Sequence, residues 1–287
     1  MRPGHAVTCM KSLLCILFLI PLSAFAVPHV IDDEALTRSL EKGLGKVADQ
    51  GDFPTADDLS KALDDVPAKW TSSVPFEPAG KSPADRSESV YLITSVYKCG
   101  NCDKWHRAGV ATAWAVTHDG LMITNRHVFE KIEGGAMGVC DREGNVWPVK
   151  ELVAASPVDD VALFRVEAQD LKPLAIGHTA SEGSRVHVVS HPDGRYYFQT
   201  FGEVSRYHNA RSGKNGKCVA MSITADYAKG SSGGPVMNLQ GEVVGMVSST
   251  QSIYYDSSNG KPKGPLQMVV KNCVPVTAIR GILGLEE

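Results

Sequence analysis

From about Ser89 onward the chain is a close succession of short apolar and β-branched runs, each ended by a Gly, Asp or Asn turn, and this confines it to a sheet-built fold. Val90 to Tyr97 and Gly109 to Val116 are two such runs; an Asp119-Gly120 turn leads into Leu121 to Thr124. Val161 to Val166, Val186 to Val189 and Glu242 to Val247 follow the same pattern. Strands this short and this close together suit a sandwich or barrel. Leu266 to Val276 reads as a last strand and Ala278 to Leu285 as a terminal helix.

The first 88 residues have another texture. Arg2 and Lys11 precede an apolar run, Leu13 to Ile20, and Ala24-Phe25-Ala26 supplies an A-x-A cleavage site. Residues 1–26 therefore read as a secretory signal peptide, whose apolar run is too short to span a bilayer as a helix. The expectation is a secreted or periplasmic protein with no membrane anchor once the leader is removed. Residues 27–88 read as a helical segment and linker. Asp32 is placed to cap a helix with Leu36, Leu40, Leu44 and Val47 on one face, and Thr55 to cap a shorter one with Leu59, Leu63 and Val66. Pro67, Pro75, Pro78, Gly80 and Pro83 then break the pattern. A propeptide, a docking arm and a packed extension all fit this segment, and a packed extension is the expectation. Residues 89–287 make up the remaining, β-rich division.

Composition excludes several classes. Lys and Arg number 29 against 32 Asp and Glu, a net charge of −3, so no polybasic footprint for nucleic acid is present. Coiled-coil, collagen and polytopic membrane compositions are equally absent. Export also changes how the cysteines read. Beyond Cys9 and Cys15 of the leader there remain Cys99, Cys102, Cys140, Cys218 and Cys273, an odd and sparse set that cannot serve as a disulfide-held scaffold.

Three stretches carry chemistry together. His127 follows a strand in Thr124-Asn125-Arg126-His127-Val128, and Asp160 precedes one in Asp159-Asp160-Val161-Ala162-Leu163. Ser232 sits in Gly230-Ser231-Ser232-Gly233-Gly234-Pro235. A serine hydroxyl is a poor nucleophile until a base takes its proton, and an imidazole base works best when a carboxylate fixes its tautomer. Asp160 is preferred to Asp159 because it directly precedes the Val-Ala-Leu run.

These stretches resemble the Thr-x-x-His, Asp-Val/Ile-Ala-Leu and Gly-x-Ser-Gly-Gly-Pro motifs of the trypsin-like (chymotrypsin-fold) serine proteases, in that family's order. The intervals from 127 to 160 to 232 resemble the compact bacterial HtrA/Deg-type enzymes more than vertebrate trypsins, and the resemblance covers residues 89–287. The competing Gly-x-Ser-x-Gly elbow of α/β-hydrolases needs a histidine after the serine, and none follows Ser232. The resemblance implies an all-β fold of two six-stranded antiparallel β-barrels with a terminal helix, here preceded by the short helical segment. It further implies an exported serine endopeptidase that hydrolyses peptide bonds through an acyl-enzyme, with a polypeptide as partner, no nucleic acid, and no metal or organic cofactor. His127, Asp160 and Ser232 would be catalytic, the backbone N–H groups of Gly230 and Ser232 would form the oxyanion hole, and Ser248 would support the aspartate.

Departures from the family pattern matter too. Asp226 stands where trypsins keep the acid that selects Arg or Lys, yet Thr250 replaces a pocket-wall glycine and would narrow that S1 pocket. Ser231 stands where trypsin zymogens need an aspartate, so that activation switch has no acid to use. HtrA-type relatives often assemble as trimers and carry a PDZ domain; the chain ends just past its last helix, so no appended PDZ domain is expected, and the oligomeric state stays open.

Cys99-Gly100-Asn101-Cys102 with His106 reads as half a zinc site, a redox pair or a disulfide loop. A c-type haem would need histidine directly after the second cysteine, where Asp103 stands. In an exported protein a disulfide involving Cys99 and Cys102 is the expectation, with its pairing left open. His118, His178, His187, His191 and His208 lie in no motif and are expected on the surface or on strands. Two readings from other classes remain: a protease-like module that grips polypeptide without cleaving it, and a thiol or metal protein centred on the Cys-x-x-Cys.

Overall fold

The computed structural model describes Met1 and residues 29–71, 76–211, 216–258 and 261–285. The leader expected over residues 1–26 lies, Met1 apart, outside the described residues. Residues 31–287 form one compact unit, mostly β, with three α-helices among the described residues.

The first sheet is built from β1 (Val90–Lys98), β2 (Trp105–Arg107), β3 (Ala111–Ala115), β4 (Leu121–Thr124), β5 (Met137–Cys140), β6 (Val146–Ser156) and β7 (Val161–Val166). Its order is β2-β1-β3-β4-β7-β6-β5, and an antiparallel β1–β5 pairing, Leu92 opposite Cys140, closes six of the strands into a ring with β2 appended to β1. The second sheet is a closed antiparallel barrel, β10-β13-β12-β11-β8-β9. Its strands are β8 (Arg185–Ser190), β9 (Phe198–Arg211), β10 (Lys217–Ile223), β11 (Pro235–Met237), β12 (Val243–Ser258) and β13 (Lys261–Pro275). The expected pair of six-stranded β-barrels is thus the observed architecture.

Burial explains why β1 reads as a continuous apolar run rather than an alternating one. Tyr91 and Ile93 point into the ring with Met122, Val139 and Phe164, while Val90, Leu92 and Val96 point out of it into a second apolar cluster with Trp114, Leu121 and Ile123. A strand buried on both faces has no polar side to show.

Helix α1 (Asp33–Gln50) supplies part of that second cluster. Its N-cap Asp32 accepts from Ala35 N at 2.8 Å, and Gly51 in the left-handed region ends it. Leu36, Leu40 and Leu44 recur on one face as the spacing predicts, and all three are buried in the cluster that holds Leu92 and Trp114. The short α2 (Ala56–Ala62) begins at a Thr55/Asp58 capping box and sends Leu59 toward the ring interior. Helix α3 (Val276–Leu283) buries Ile279 and Ile282 in the same cluster as α1, and Trp70 N donates to Ile282 O at 2.7 Å. Leu40 is fully buried, so Leu40→Ala should cost about 2–5 kcal/mol. The readout is the denaturant midpoint at unchanged slope. A cost under about 1 kcal/mol would mean that α1 lies outside the cooperative core.

Candidate active site

Asp160 lies in the turn between β6 and β7 with φ of 58°, a left-handed conformation that few side chains adopt. The turn is over-determined. Asn125 Nδ2 and Arg126 N both donate to the Asp160 carbonyl, at 3.0 and 3.2 Å. Arg126 is itself pinned by Glu130 and Asp64. The neighbouring acid is spent locally, since Asp159 Oδ2 accepts from Ser156 Oγ at 2.7 Å.

These constraints aim the Asp160 carboxylate at His127, which sits in a single 3₁₀ turn (Arg126–Phe129) directly after β4. His127 N donates to Oδ1 at 3.0 Å, and His127 Nδ1 lies 2.8 Å from Oδ2 and 3.0 Å from Oδ1. Ser248 Oγ, on β12, donates to Oδ2 at 2.9 Å. A carboxylate only accepts, so Nδ1 carries the ring proton of a neutral imidazole and Nε2 is left as the acceptor. Burial disfavours the imidazolium, but the Asp160 hydrogen bond and charge, with help from Glu130, outweigh it and hold His127 above its ordinary value.

Ser232 lies at the opposite wall, in the loop before β11. Two contacts from the residues around β3 fix that loop: Thr112 N donates to Ser232 O at 2.8 Å, and Thr112 Oγ1 donates to Gly230 O at 3.0 Å. Glycine is required twice. Gly230 has φ of 96°, and a Cβ there would lie 2.4 Å from His191 O; Gly233 has φ of 86°, and its Cβ would meet Thr112 O at 2.0 Å. Among the described residues, the N–H groups of Gly230 and Ser232 have no protein acceptor, whereas those of Ser231, Gly233 and Gly234 are all used within the fold. Ser232 Oγ donates to Ser248 O at 3.4 Å and makes no hydrogen bond to His127. Ser248 therefore touches both walls, through its hydroxyl to Asp160 and its carbonyl to Ser232.

A groove of about 1000 Å³ opens beside these groups, lined among others by His127, Asp160, Ser248, Gln251, Cys218 and Val219. Of the two residues expected at an S1 pocket, one carries an ion pair and the other is exposed. The Asp226 carboxylate pairs with Lys271 Nζ at 3.0 Å, which balances its charge, and Thr250 is exposed on β12 opposite Lys271.

Two expectations are corrected here. Cys99 and Cys102 are not joined: their sulfurs stand 3.4 Å apart, and Cys140, Cys218 and Cys273 are free as well. The Cys99 thiol is drawn down to about 7, first by the N–H of Asn101 and then by the Cys102 side chain. His191 is neither on the surface nor on a strand. It is fully buried beside the Gly230 loop, its Nδ1 accepts from Tyr197 N at 3.0 Å, and burial holds it at about 3. No motif surrounds His191 or Thr112 in the sequence, so neither could be read as a support of the Gly230–Ser232 loop.

Residues 111–246, which include His127, Asp160 and Ser232, match the trypsin-like peptidase domain family. A probable periplasmic serine endoprotease DegP-like from Marinomonas sp. is 34% identical over 144 residues, 49% of this chain and 29% of the relative. Its counterpart in Pseudomonas fulva is 34% identical over 141 residues, 48% of this chain and 28% of the relative. That of Chlamydia pneumoniae is 28% identical over 142 residues, 47% and 28% respectively. The chain spans less than a third of the length of these curated relatives.

Proposed function

The chain carries a trypsin-like peptidase domain of the HtrA/Deg type, and on that premise we propose that it is an exported serine endopeptidase working through Ser232, His127 and Asp160. The observation that carries this reading is the triple acceptance at Asp160, from His127 Nδ1, His127 N and Ser248 Oγ. It turns Nε2 of a neutral imidazole into the free base.

In the proposed reaction Ser232 Oγ attacks the carbonyl carbon of a peptide bond while its proton passes to His127 Nε2. The carbonyl oxygen becomes an oxyanion and accepts from the Gly230 and Ser232 N–H groups, which have no other acceptor among the described residues. His127 then gives its proton to the leaving amine, and an ester joins Ser232 to the acyl group. Water, deprotonated by the same Nε2, hydrolyses that ester. Asp160 keeps its charge throughout and stabilises the imidazolium. Helix α1 and the β-rich division act as one unit in this reading, since α1 packs in the apolar cluster on the outer face of the first ring. Specificity for basic side chains through Asp226 is disfavoured by the Lys271 ion pair. Secreted or periplasmic placement rests on the leader-like residues 1–26 and on the word periplasmic in the relatives' names; among the described residues no helix is long and apolar enough to cross a membrane.

A fluorophosphonate probe tests the proposal, because it labels only an activated serine. Labelling at Ser232 is expected, rising with pH through a limb set above the ordinary histidine value of about 6.5, as neutral His127 is the working form. Absence of labelling from about pH 6 to about pH 9 would replace the enzyme by a protease-like binding module.

A further inference from the structure

The hairpin joining β1 to β2 gathers a second set of chemically able side chains. Cys99 leaves the end of β1, Cys102 lies in the connecting loop, and His106 belongs to β2, opposite Tyr97. Gly100, with φ of 76°, turns the chain back so that the two sulfurs stand 3.4 Å apart, and Cys102 Sγ lies 3.1 Å from His106 Nε2. The three donor atoms all fall within 4.8 Å of one another, and among the described residues no other group of His, Cys, Asp and Glu converges so.

From this geometry we propose that Cys99, Cys102 and His106 form a binding site for a thiophilic divalent metal ion, Zn²⁺, with water as fourth ligand. Zinc takes thiolates at about 2.3 Å and imidazole nitrogen at about 2.0–2.1 Å, so a tetrahedral site sets two sulfurs about 3.8 Å apart and a sulfur and nitrogen about 3.6 Å apart. The sulfur–sulfur separation and the Cys102–His106 separation each fall short of these by about half an ångström or less. A disulfide is the poorer match. Its sulfurs must approach to about 2.05 Å, and forming it would leave His106 aimed at a sulfur with no part to play. Zinc uses all three donors and displaces the thiol protons to solvent.

The hairpin is also held in place, which lowers the cost of organising an exposed site. The Trp105 ring sits against the backbone of Gly45 and Gly135, its Nε1 donates to Asp49 Oδ1 at 2.9 Å, and Arg107 N donates to Glu41 Oε1 at 3.2 Å. Helix α1 thus grips β2 directly beside His106. Lys98 Nζ donates to Asp103 O across the base of the loop, 4.5 Å above the Trp105 ring.

The test uses the purified full chain, stripped with chelator under reducing conditions and titrated with Zn²⁺ against a chromophoric chelator. One equivalent should bind, and Co²⁺ in its place should give thiolate-to-metal charge-transfer absorption. Cys99→Ser with Cys102→Ser should abolish stoichiometric binding, and His106→Ala should weaken it at least about tenfold. Cys218→Ser should leave it unchanged, and unaltered thermal unfolding of the stripped variants would show that they fold. The proposal is overturned if the reduced chain takes no zinc, if the hairpin variants bind it undiminished, or if mass analysis of the exported protein finds Cys99 and Cys102 wholly joined as a disulfide.

Discussion

Ser232→Ala is expected to lower kcat on a peptide substrate by about a million-fold, the scale of losing the nucleophile from a serine triad. The variant should fold normally, because the hydroxyl contributes a single 3.4 Å contact to Ser248 O while the loop is fixed by its backbone and by Thr112. Substrate binding should survive, since the residues lining the groove beside His127 are unchanged. A folded variant retaining more than about one per cent of activity would mean that another group attacks the carbonyl. Cys218 is the group to examine first in that event: it lines the groove, although burial, with Asp159 and Asp160 nearby, raises its thiol and disfavours the thiolate.

Asp160→Asn should leave the fold intact and lower kcat by about 10⁴-fold. An amide in place of the carboxylate can donate to Nδ1, which moves the ring proton to Nε2 and removes the base. Its pH dependence separates this account from general damage. With Asp160 charged, His127 is held high against the opposing effect of burial; without that charge, burial dominates and the imidazole falls below its ordinary value. The acid limb of the residual kcat/KM should therefore move to lower pH. A depressed rate with an unmoved limb would show that Asp160 does not govern His127. The linkage to stability carries the matching sign. A histidine raised in the folded state stabilises the fold at pH below its unfolded value, and that contribution fades as pH rises through the folded value. In Asp160→Asn, with the imidazole below its unfolded value, the sign reverses, and the histidine's contribution to stability should grow as pH rises through that range.

Much of this arrangement is legible in the amino-acid sequence. The Leu36, Leu40 and Leu44 spacing marks one helix face, and the capping residues Asp32 and Thr55 mark where the helices begin. The order His127, Asp160, Ser232 carries the site because each lies next to a recognisable strand or glycine turn. What stayed hidden depends on distant partners. The Lys271 that balances Asp226 comes from another strand, and nothing local to Asp226 predicts an ion pair there. His191 is buried because Tyr196 and Tyr197 fold back over it, a tertiary event with no period in the sequence. The cysteine hairpin depends on a partner outside its own motif too: two nearby thiols suit a disulfide, and only the position of His106, on the next strand, marks a third donor.

The cluster shared by α1 and α3 has a consequence for the order of events during synthesis. Residues as early as Leu36 and as late as Leu283 belong to one apolar core. The first helix is synthesised long before the last, so Leu36, Leu40 and Leu44 stay in contact with water, or with a holding factor, until Val276–Leu283 is available to close the cluster. Such long-range closure is slow and exposes sticky surface while it lasts. A chain organised this way cannot assemble its core one end at a time.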